Sequence, residues 1–407
     1  MQTEYRDGFS EEVYKIERES FIQYAQTYGF DPNLIAKRQL EYLKTSLKNR
    51  FNHTPVDADL EIDPVDSLLC ANRRAVLQQS KNTVNKLIRF MDYEPILFNL
   101  HKLNVKKRRE ALQEIKGKLL KVPILLPYTN DPEAFTKRLP TVYHYVVISR
   151  SLSNLTELFL FPAVINLVNP AGKATLDSFK SPTAKNIKRT AWLIASLAQF
   201  YAGIKKKIQL DYELCKESEA SHVFGKLIHW GAQDFFLLHE YSHVLLGHAT
   251  NHRKILNEVE ADVLAFNTMM YRKNITNQMP TIASIKSFGP QSLLIFLWII
   301  EILEGTVNGT SHPLAITRFK YISLLTSLIL PPEVKNRTVR ILNDIIAMTI
   351  EAAKILNIHN KNEVPKLNSG FSHSFNPKET SSLSSAYFYA IKYKSSPDSN
   401  FIGFKVD

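Results

Sequence analysis

One segment restricts this chain more than any other: Phe235-Phe-Leu-Leu-His-Glu-Tyr-Ser-His-Val-Leu-Leu-Gly-His248. Phe235–Leu238 and Val244–Leu246 are apolar, which draws the segment into a core. Yet His239, Glu240 and His243 are lodged in its middle. Buried polar groups must be paired, and a metal ion pairs several at once. On a helix, residues four apart share a face, about 40° out of register. The imidazoles of His239 and His243 can then reach one ion. Glu240 stands beside them, placed to take a proton from water. The competing reading is a buried helix with two hydrogen-bonded histidines and no metal.

A second pair of groups follows in Asn257-Glu-Val-Glu-Ala-Asp262. Glu258 and Asp262 are again four apart and share a helical face, while Glu260 points elsewhere. HExxH followed by ExxxD resembles the gluzincin metallopeptidases. That resemblance implies Glu258 as the third metal ligand and Asp262 as acceptor for the free ring nitrogen of His239, the kind of outer carboxylate that fixes a tautomer. The competing reading for Asp262 is an ordinary surface acid. The metzincin pattern HExxHxxGxxH fails, because Gly247 comes one residue too late and His248 one too early. His248 is read as a helix-end residue with Gly247 at the terminus, and His252 as exposed. Tyr241, about 100° round from Glu240, is given no role.

Ser311-His-Pro-Leu-Ala-Ile-Thr-Arg318 adds a further element. It resembles the (S/T)HPxxxxR segment of HtpX-like and CAAX-prenyl-protease-like gluzincins. The resemblance implies His312 in the cleft as a donor to the oxyanion; otherwise it is a helix-start histidine without a role. HtpX-like enzymes carry membrane helices, and none is expected here. Leu293–Ile300 is stopped by Glu301, and Ala191–Ile204 is interrupted by Ser196 and Gln199; a span needs about 18–20 apolar residues. The order HExSHVxLxH, ExEAD, buried apolar helix (here Leu293–Leu303), SHPxxxxR is most similar to the Lit-type phage-exclusion peptidases, over roughly 235–325. That resemblance implies Zn²⁺ as cofactor and a protein substrate inside a bacterial cell, a translation elongation factor being the family's target. It also implies a phage-derived or other activating partner.

Periodicity divides the chain into a helical region at 1–121, a domain at 122–330 and a C-terminal helix with a Ser/Asn-rich tail at 331–407. Within 1–121, amphipathic patterns start near Tyr14 and run over Leu34–Leu47, Asn72–Met91 and Val105–Leu120, with an acidic linker from His53 to Asp66 that contains Pro55 and Pro64. From Val122 the pattern turns to strands. Pro123–Pro127 is extended, Thr141–Ile148 is a strand, Leu158–Phe161 and Val164–Val168 flank Pro162, and Gly172–Phe179 is a further short strand. Helices are expected over Thr183–Gly203, His222–Gly247, Ile255–Arg272, Gln291–Glu304, Pro313–Leu328 and Pro331–Ile358. In the tail, Ala386–Tyr393 is a candidate strand. The expected class is α+β, mainly α. A small sheet precedes the HExxH helix and a Glu-bearing helix in a zincin-like catalytic domain. The 1–121 helices are candidates for restraint of the cleft or for partner binding.

Composition sets limits on this reading. Of 407 residues, 44% are hydrophobic and 22% charged, which supports a sizeable core and excludes wholesale disorder. Cys70 and Cys215 are the only cysteines, so a disulfide scaffold is excluded. They read as free thiols in a reducing, cytoplasmic compartment, and no secretory signal is seen in Met1–Arg18. The formal charge of +12 admits an acidic partner, a membrane surface or nucleic acid. Its densest cluster, Lys106-Lys107-Arg108-Arg109, is interleaved downstream with Glu110 and Glu114 and reads as a solvated helix face. The expectation is thus a zinc endopeptidase with His239, His243 and Glu258 on the metal, Glu240 as base and His312 at the oxyanion. Two alternatives stand beside it: a catalytically idle, metal-stabilised interaction module, and a basic nucleic-acid-binding protein with an incidental HExxH.

Overall fold

The computed structural model describes residues 8–27, 29–51, 63–95, 97–129, 134–138, 144–149, 152, 167–168, 179–202, 219–248, 254–271, 280–304, 315–329 and 332–356. Helices dominate. In chain order they are α1 (Gly8–Thr27), α2 (Pro32–Phe51), α3 (Pro64–Tyr93), α4 (Val105–Leu120), α5 (Ala184–Tyr201), α6 (Glu219–Leu246), α7 (Lys254–Met270), α8 (Pro280–Leu303), α9 (Ala315–Ile329) and α10 (Pro332–Ile355). Between α4 and α5 lie β1 (Ile124–Leu125), β2 (Ala134–Arg138) and β3 (His144–Ile148).

The ends of these elements follow from local chemistry. Asp63 caps α3 by accepting from the backbone N–H of Val65 at 2.8 Å, with Pro64 in the first turn, where its missing N–H costs nothing. The helix expected from Asn72 therefore begins inside what reads as an acidic linker. Asn104 caps α4 and Thr183 caps α5 in the same manner. Gly247 ends α6 with φ of 68°, the left-handed conformation that glycine adopts at little cost.

Mixed pairing builds a three-stranded sheet in the order β1-β3-β2. β1 runs parallel to β3 with Ile124 opposite Val146, and β2 runs antiparallel with Thr136 opposite the same Val146. Aligned partners point to one face, so Ile124, Val146 and Thr136 share the face on which α6 packs. The alternate residues Leu125 and Val147 pack against Val13 of α1 on the other face. The sheet thus lies between α1 and the HExxH helix. The strand expected at Thr141–Ile148 is β3, and β2 went unread. Farther on, Val168 and Phe179 form an antiparallel bridge. The strands expected at Leu158–Phe161 and Ala386–Tyr393, and the thiol of Cys215, lie outside the described residues.

One apolar core runs from Val84 on α3 to Ala352 on α10, and a second, smaller than it, unites α1, α2 and the start of α3 around Phe21, Leu40, Leu68 and Tyr128. Glu17 pins α1 to this framework. It is buried, accepts from the N–H of Leu126 at 2.9 Å, and pairs with Arg73 of α3 at 3.3 Å. On α4, Lys106, Lys107 and Arg109 are exposed, Arg108 pairs with Asp92 and Lys118 with Glu114.

α8 is longer than the expected Gln291–Glu304 and carries Pro290 inside it. Proline cannot donate to the carbonyl four residues back, which is that of Lys286. That carbonyl lies against Gly231 of α6: a Cβ there would meet it at 2.2 Å. From the other side, a Cβ on Gly289 would meet the backbone nitrogen of Ala232 at 2.3 Å. Two glycines thus let the helices cross backbone to backbone. Gly231→Ala is expected to destabilise the protein by about 1–3 kcal/mol or more, since backbone cannot move aside as a flexible side chain does. Urea denaturation reads this out, and an unchanged midpoint would show that the crossing has slack. The stretch Ile285–Leu303 is long and apolar enough to cross a membrane, but most of it is buried inside the fold. It is the central core helix, packed on α5, α6, α9 and α10.

Candidate metal centre

α6 and α7 lie side by side and present the two motifs to each other. Nε2 of His239 is 3.0 Å from Nε2 of His243 and 3.2 Å from Oε2 of Glu258. Nε2 of His243 is 3.4 Å from Oε1 of Glu258. The three side chains form a group able to hold a metal ion. Glu258, not Glu260, turns toward the histidines. All three side chains are nearly buried.

The second nitrogen of His239 faces a carboxylate. Nδ1 lies 2.9 Å from Oδ1 of Asp262, a carboxylate with no exposed side-chain surface. Asp262 in turn accepts from Arg318 of α9, Nε to Oδ2 at 2.8 Å and Nη2 to Oδ1 at 2.6 Å. This forked pair keeps an otherwise costly buried charge in place. Sequence spacing left Arg318 without a role; the structure makes it the anchor of Asp262. His312, six residues before it, lies outside the described residues, as does His252. The start of α9 is fixed by Glu301, whose two carboxylate oxygens each accept from the N–H of Ala315 at 3.0 Å.

Glu240 is 2% exposed. Its Oε2 accepts from the hydroxyl of Thr136 on β2 at 2.8 Å, and Thr136 also reaches the backbone carbonyl of Glu240 at 3.1 Å. The β2 strand therefore both orients Glu240 and lies beside the triad. Nothing in the composition of Ala134–Arg138 marks that role; the only signal is its place before a clear strand.

Two further residues enter that sequence reasoning set aside. Nδ1 of His243 lies 2.9 Å from Nδ1 of His248, and Nε2 of His248 lies 3.0 Å from Oε2 of Glu260. His248 is a helix-end residue, as its place after Gly247 suggests, but it is buried and turned back toward the site. Glu260 points away from the triad and onto His248. The findable signal was a third histidine in an apolar context, five residues after His243.

Charge follows geometry. Burial would lower the pKa of His239, but Asp262 and Glu258 outweigh it and raise it to about 10. Burial opposes ionisation of Glu258 and Asp262, yet the histidines hold Glu258 well below the usual carboxylate range, and Arg318 with His239 brings Asp262 to about 2. Burial lowers His243. It raises Glu240 to about 7, against the pull of His239 and Thr136. The protein without metal thus holds a proton on His239 where a cation could sit. Exchange that proton for a divalent ion and ionise Glu240, and the ion with Arg318 balances Glu240, Glu258 and Asp262.

Behind the site, α3 closes the other face of α6. The hydroxyl of Tyr241 bonds to that of Ser80, and Asp234 pairs with Lys86 at 2.5 Å. Tyr241 is two residues after His239, about 200° round the helix. α3 therefore buttresses the HExxH helix from the side of Tyr241 and Asp234.

The Peptidase U49 family, to which the Lit-type peptidases belong, has a model that matches residues 161–329. The matched stretch contains α6, α7 and Arg318, and supports a peptidase. Neither curated proteins nor solved structures give a match.

Proposed function

We propose that this chain is a zinc-dependent endopeptidase of the gluzincin kind that cuts an intracellular protein, in a phage-exclusion role of the Lit type. The observation that carries the reading is the convergence of His239, His243 and Glu258 beside a buried Glu240, within a stretch that matches a peptidase family. Two imidazoles and a carboxylate suit zinc. The two ring nitrogens stand 3.0 Å apart, and Glu258 offers one oxygen to each, at 3.2 and 3.4 Å. Three protein ligands leave a position for a reactant, as in catalytic sites. When bound, zinc supplies Lewis acidity, polarising a carbonyl and acidifying water.

The chain's own residues do the rest. Glu240 takes the proton of the attacking water and returns it to the leaving amine as the peptide bond breaks. Its position near neutrality, about 7 before a cation draws it down, suits a group that must both accept and donate. Thr136 holds one carboxylate oxygen and leaves the other to the proton. Asp262, anchored by Arg318, keeps the Nε2 lone pair of His239 on the metal side. We assign His312 the oxyanion. An extended substrate can pair with the edge of β2, which would bring its backbone beside Glu240.

Thr136→Val keeps the shape of the strand and removes the hydroxyl. That hydrogen bond favours the ionised carboxyl, so its loss raises the pKa of Glu240. The acidic limb of kcat/KM is expected to move to higher pH, with little change on the alkaline side; an unmoved limb would dissociate Thr136 from the base. The function itself is tested by metal analysis of the purified protein and by mapping new protein N-termini in bacteria that express it. Zinc near one equivalent and cleavage that a Glu240→Gln copy does not produce would support the peptidase. Absence of zinc, or identical termini with both copies, would overturn it.

A further inference from the structure

The two histidines of the triad are held differently. His239 rests on a carboxylate, Asp262, whereas His243 rests on another imidazole. Between Nδ1 of His243 and Nδ1 of His248, 2.9 Å apart, there is room for one proton. The other end of His248 decides who carries it. Nε2 of His248 is 3.0 Å from a carboxylate oxygen of Glu260, and a carboxylate can only accept, so Nε2 is the donor. His248 cannot donate from Nδ1 when His243 ligates through Nε2, because the ring nitrogen it faces then carries the hydrogen. Its Nδ1 is therefore the acceptor, and the shared proton belongs to His243. With Nδ1 protonated, a neutral His243 has its lone pair on Nε2, the atom that faces His239 and Glu258.

The surroundings are built for this contact. Gly247, with φ of 68°, turns the chain back at the end of α6 and brings His248 against a ring five residues earlier. Glu260 arrives from α7 two residues after Glu258, so the helix that supplies the third ligand also supplies the far end of the chain of bonds. The side chain of Glu260 is 34% exposed, that of His248 only 5%.

We propose that His248 and Glu260 form a positioning relay that fixes the tautomer and orientation of His243 and thereby sets the affinity of the triad for zinc. The inference rests on the metal reading of the site, and its test separates the two. Zinc affinity is measured by chelator competition for the parent, His239→Ala, His248→Leu, His248→Asn, Glu260→Ala and the His248→Leu/Glu260→Ala pair, with melting of each metal-free form as a folding control. Loss of such an outer partner typically weakens binding about 10–100-fold, and His248→Leu is expected to fall in that range.

His248→Asn is the discriminating variant. Its amide oxygen stands where Nδ1 of the imidazole stood and accepts the same hydrogen, so affinity should return close to that of the parent. Glu260→Ala should weaken binding less, and should add nothing to His248→Leu, since it acts through His248. The relay is overturned if His248→Leu binds zinc like the parent, or if His248→Asn is as weak as His248→Leu, which would leave only a packing role. Should His248→Leu not fold, the partly exposed Glu260 decides. Weaker zinc binding by Glu260→Ala with unchanged metal-free melting supports the relay, and unchanged binding overturns it. A parent that binds no more zinc than His239→Ala overturns the metal reading and the relay with it.

Discussion

Glu240→Gln is expected to fold, to hold zinc as the parent does, and to lose about 10²–10⁴-fold in hydrolysis, the usual cost of a missing general base. The substitution keeps size and most hydrogen bonding. Its amide oxygen can still accept from Thr136, which now reaches Oε2 at 2.8 Å. What goes is the basicity. Because Glu240 is 2% exposed and raised to about 7 by burial, replacing it by a neutral group should even stabilise the metal-free fold slightly at alkaline pH, where the parent must ionise inside the core. The sign is that of a carboxyl with a raised pKa: stability is full below its unfolded value and declines as pH rises through the folded one. Rate, zinc content and melting of Glu240→Gln separate a base from a ligand and from a structural residue. A Glu240→Gln protein that keeps the full biological effect with zinc bound would make this a binding module.

How much of this was legible beforehand depended on the range over which each residue acts. HExxH and ExxxD encode their geometry locally, since helical spacing alone puts His239 with His243 and Glu258 with Asp262 on common faces. Helices were legible from periodicity, although two starts were missed for chemical reasons. Asp63-Pro64 reads as linker until it is seen as cap and first turn, and Pro290 reads as a stop until Gly231 is seen to receive the carbonyl it frees. Residues whose partners lie far away in sequence were not legible. Thr136 meets Glu240 across 104 positions, and the five-residue strand that carries it lacks a strong pattern. Arg318 meets Asp262 across 56. Only a fold brings such pairs together, and a resemblance supplies the pattern SHPxxxxR without saying what its arginine touches. His248 and Glu260 were a different failure. Neither fits a ligand position by spacing, and only the fold brings them into series behind His243.

Arg318→Met tests the other end of the structure and should have the largest effect on stability. Asp262 has no exposed side-chain surface, and its positive neighbours are Arg318 and, when protonated, His239. Removing one partner of a buried pair typically costs about 3–5 kcal/mol, because the remaining charge is stranded. Asp262 has an escape, which is to take up a proton. Its pKa, now about 2, would rise, and the acid dependence of stability would change accordingly. In the parent, the contribution of Asp262 is present above its unfolded pKa and is lost as pH falls toward about 2; in Arg318→Met that loss should shift to higher pH. A protonated Asp262 would donate to Nδ1 of His239 rather than accept from it, which moves the imidazole proton to Nε2 and takes the lone pair off the metal side. Zinc affinity should therefore fall together with stability. Arg318→Lys should recover part of both, since a point charge reaches the pocket but lacks the fork. The double variant Arg318→Met/Asp262→Asn should recover metal-free stability beyond either additive sum, because no buried charge remains to be stranded. Chemical denaturation of the metal-free forms and chelator competition measure the two effects. If Arg318→Met is as stable as the parent and binds zinc equally well, Asp262 is held by something else, and the chain of control from α9 through Asp262 to His239 does not exist.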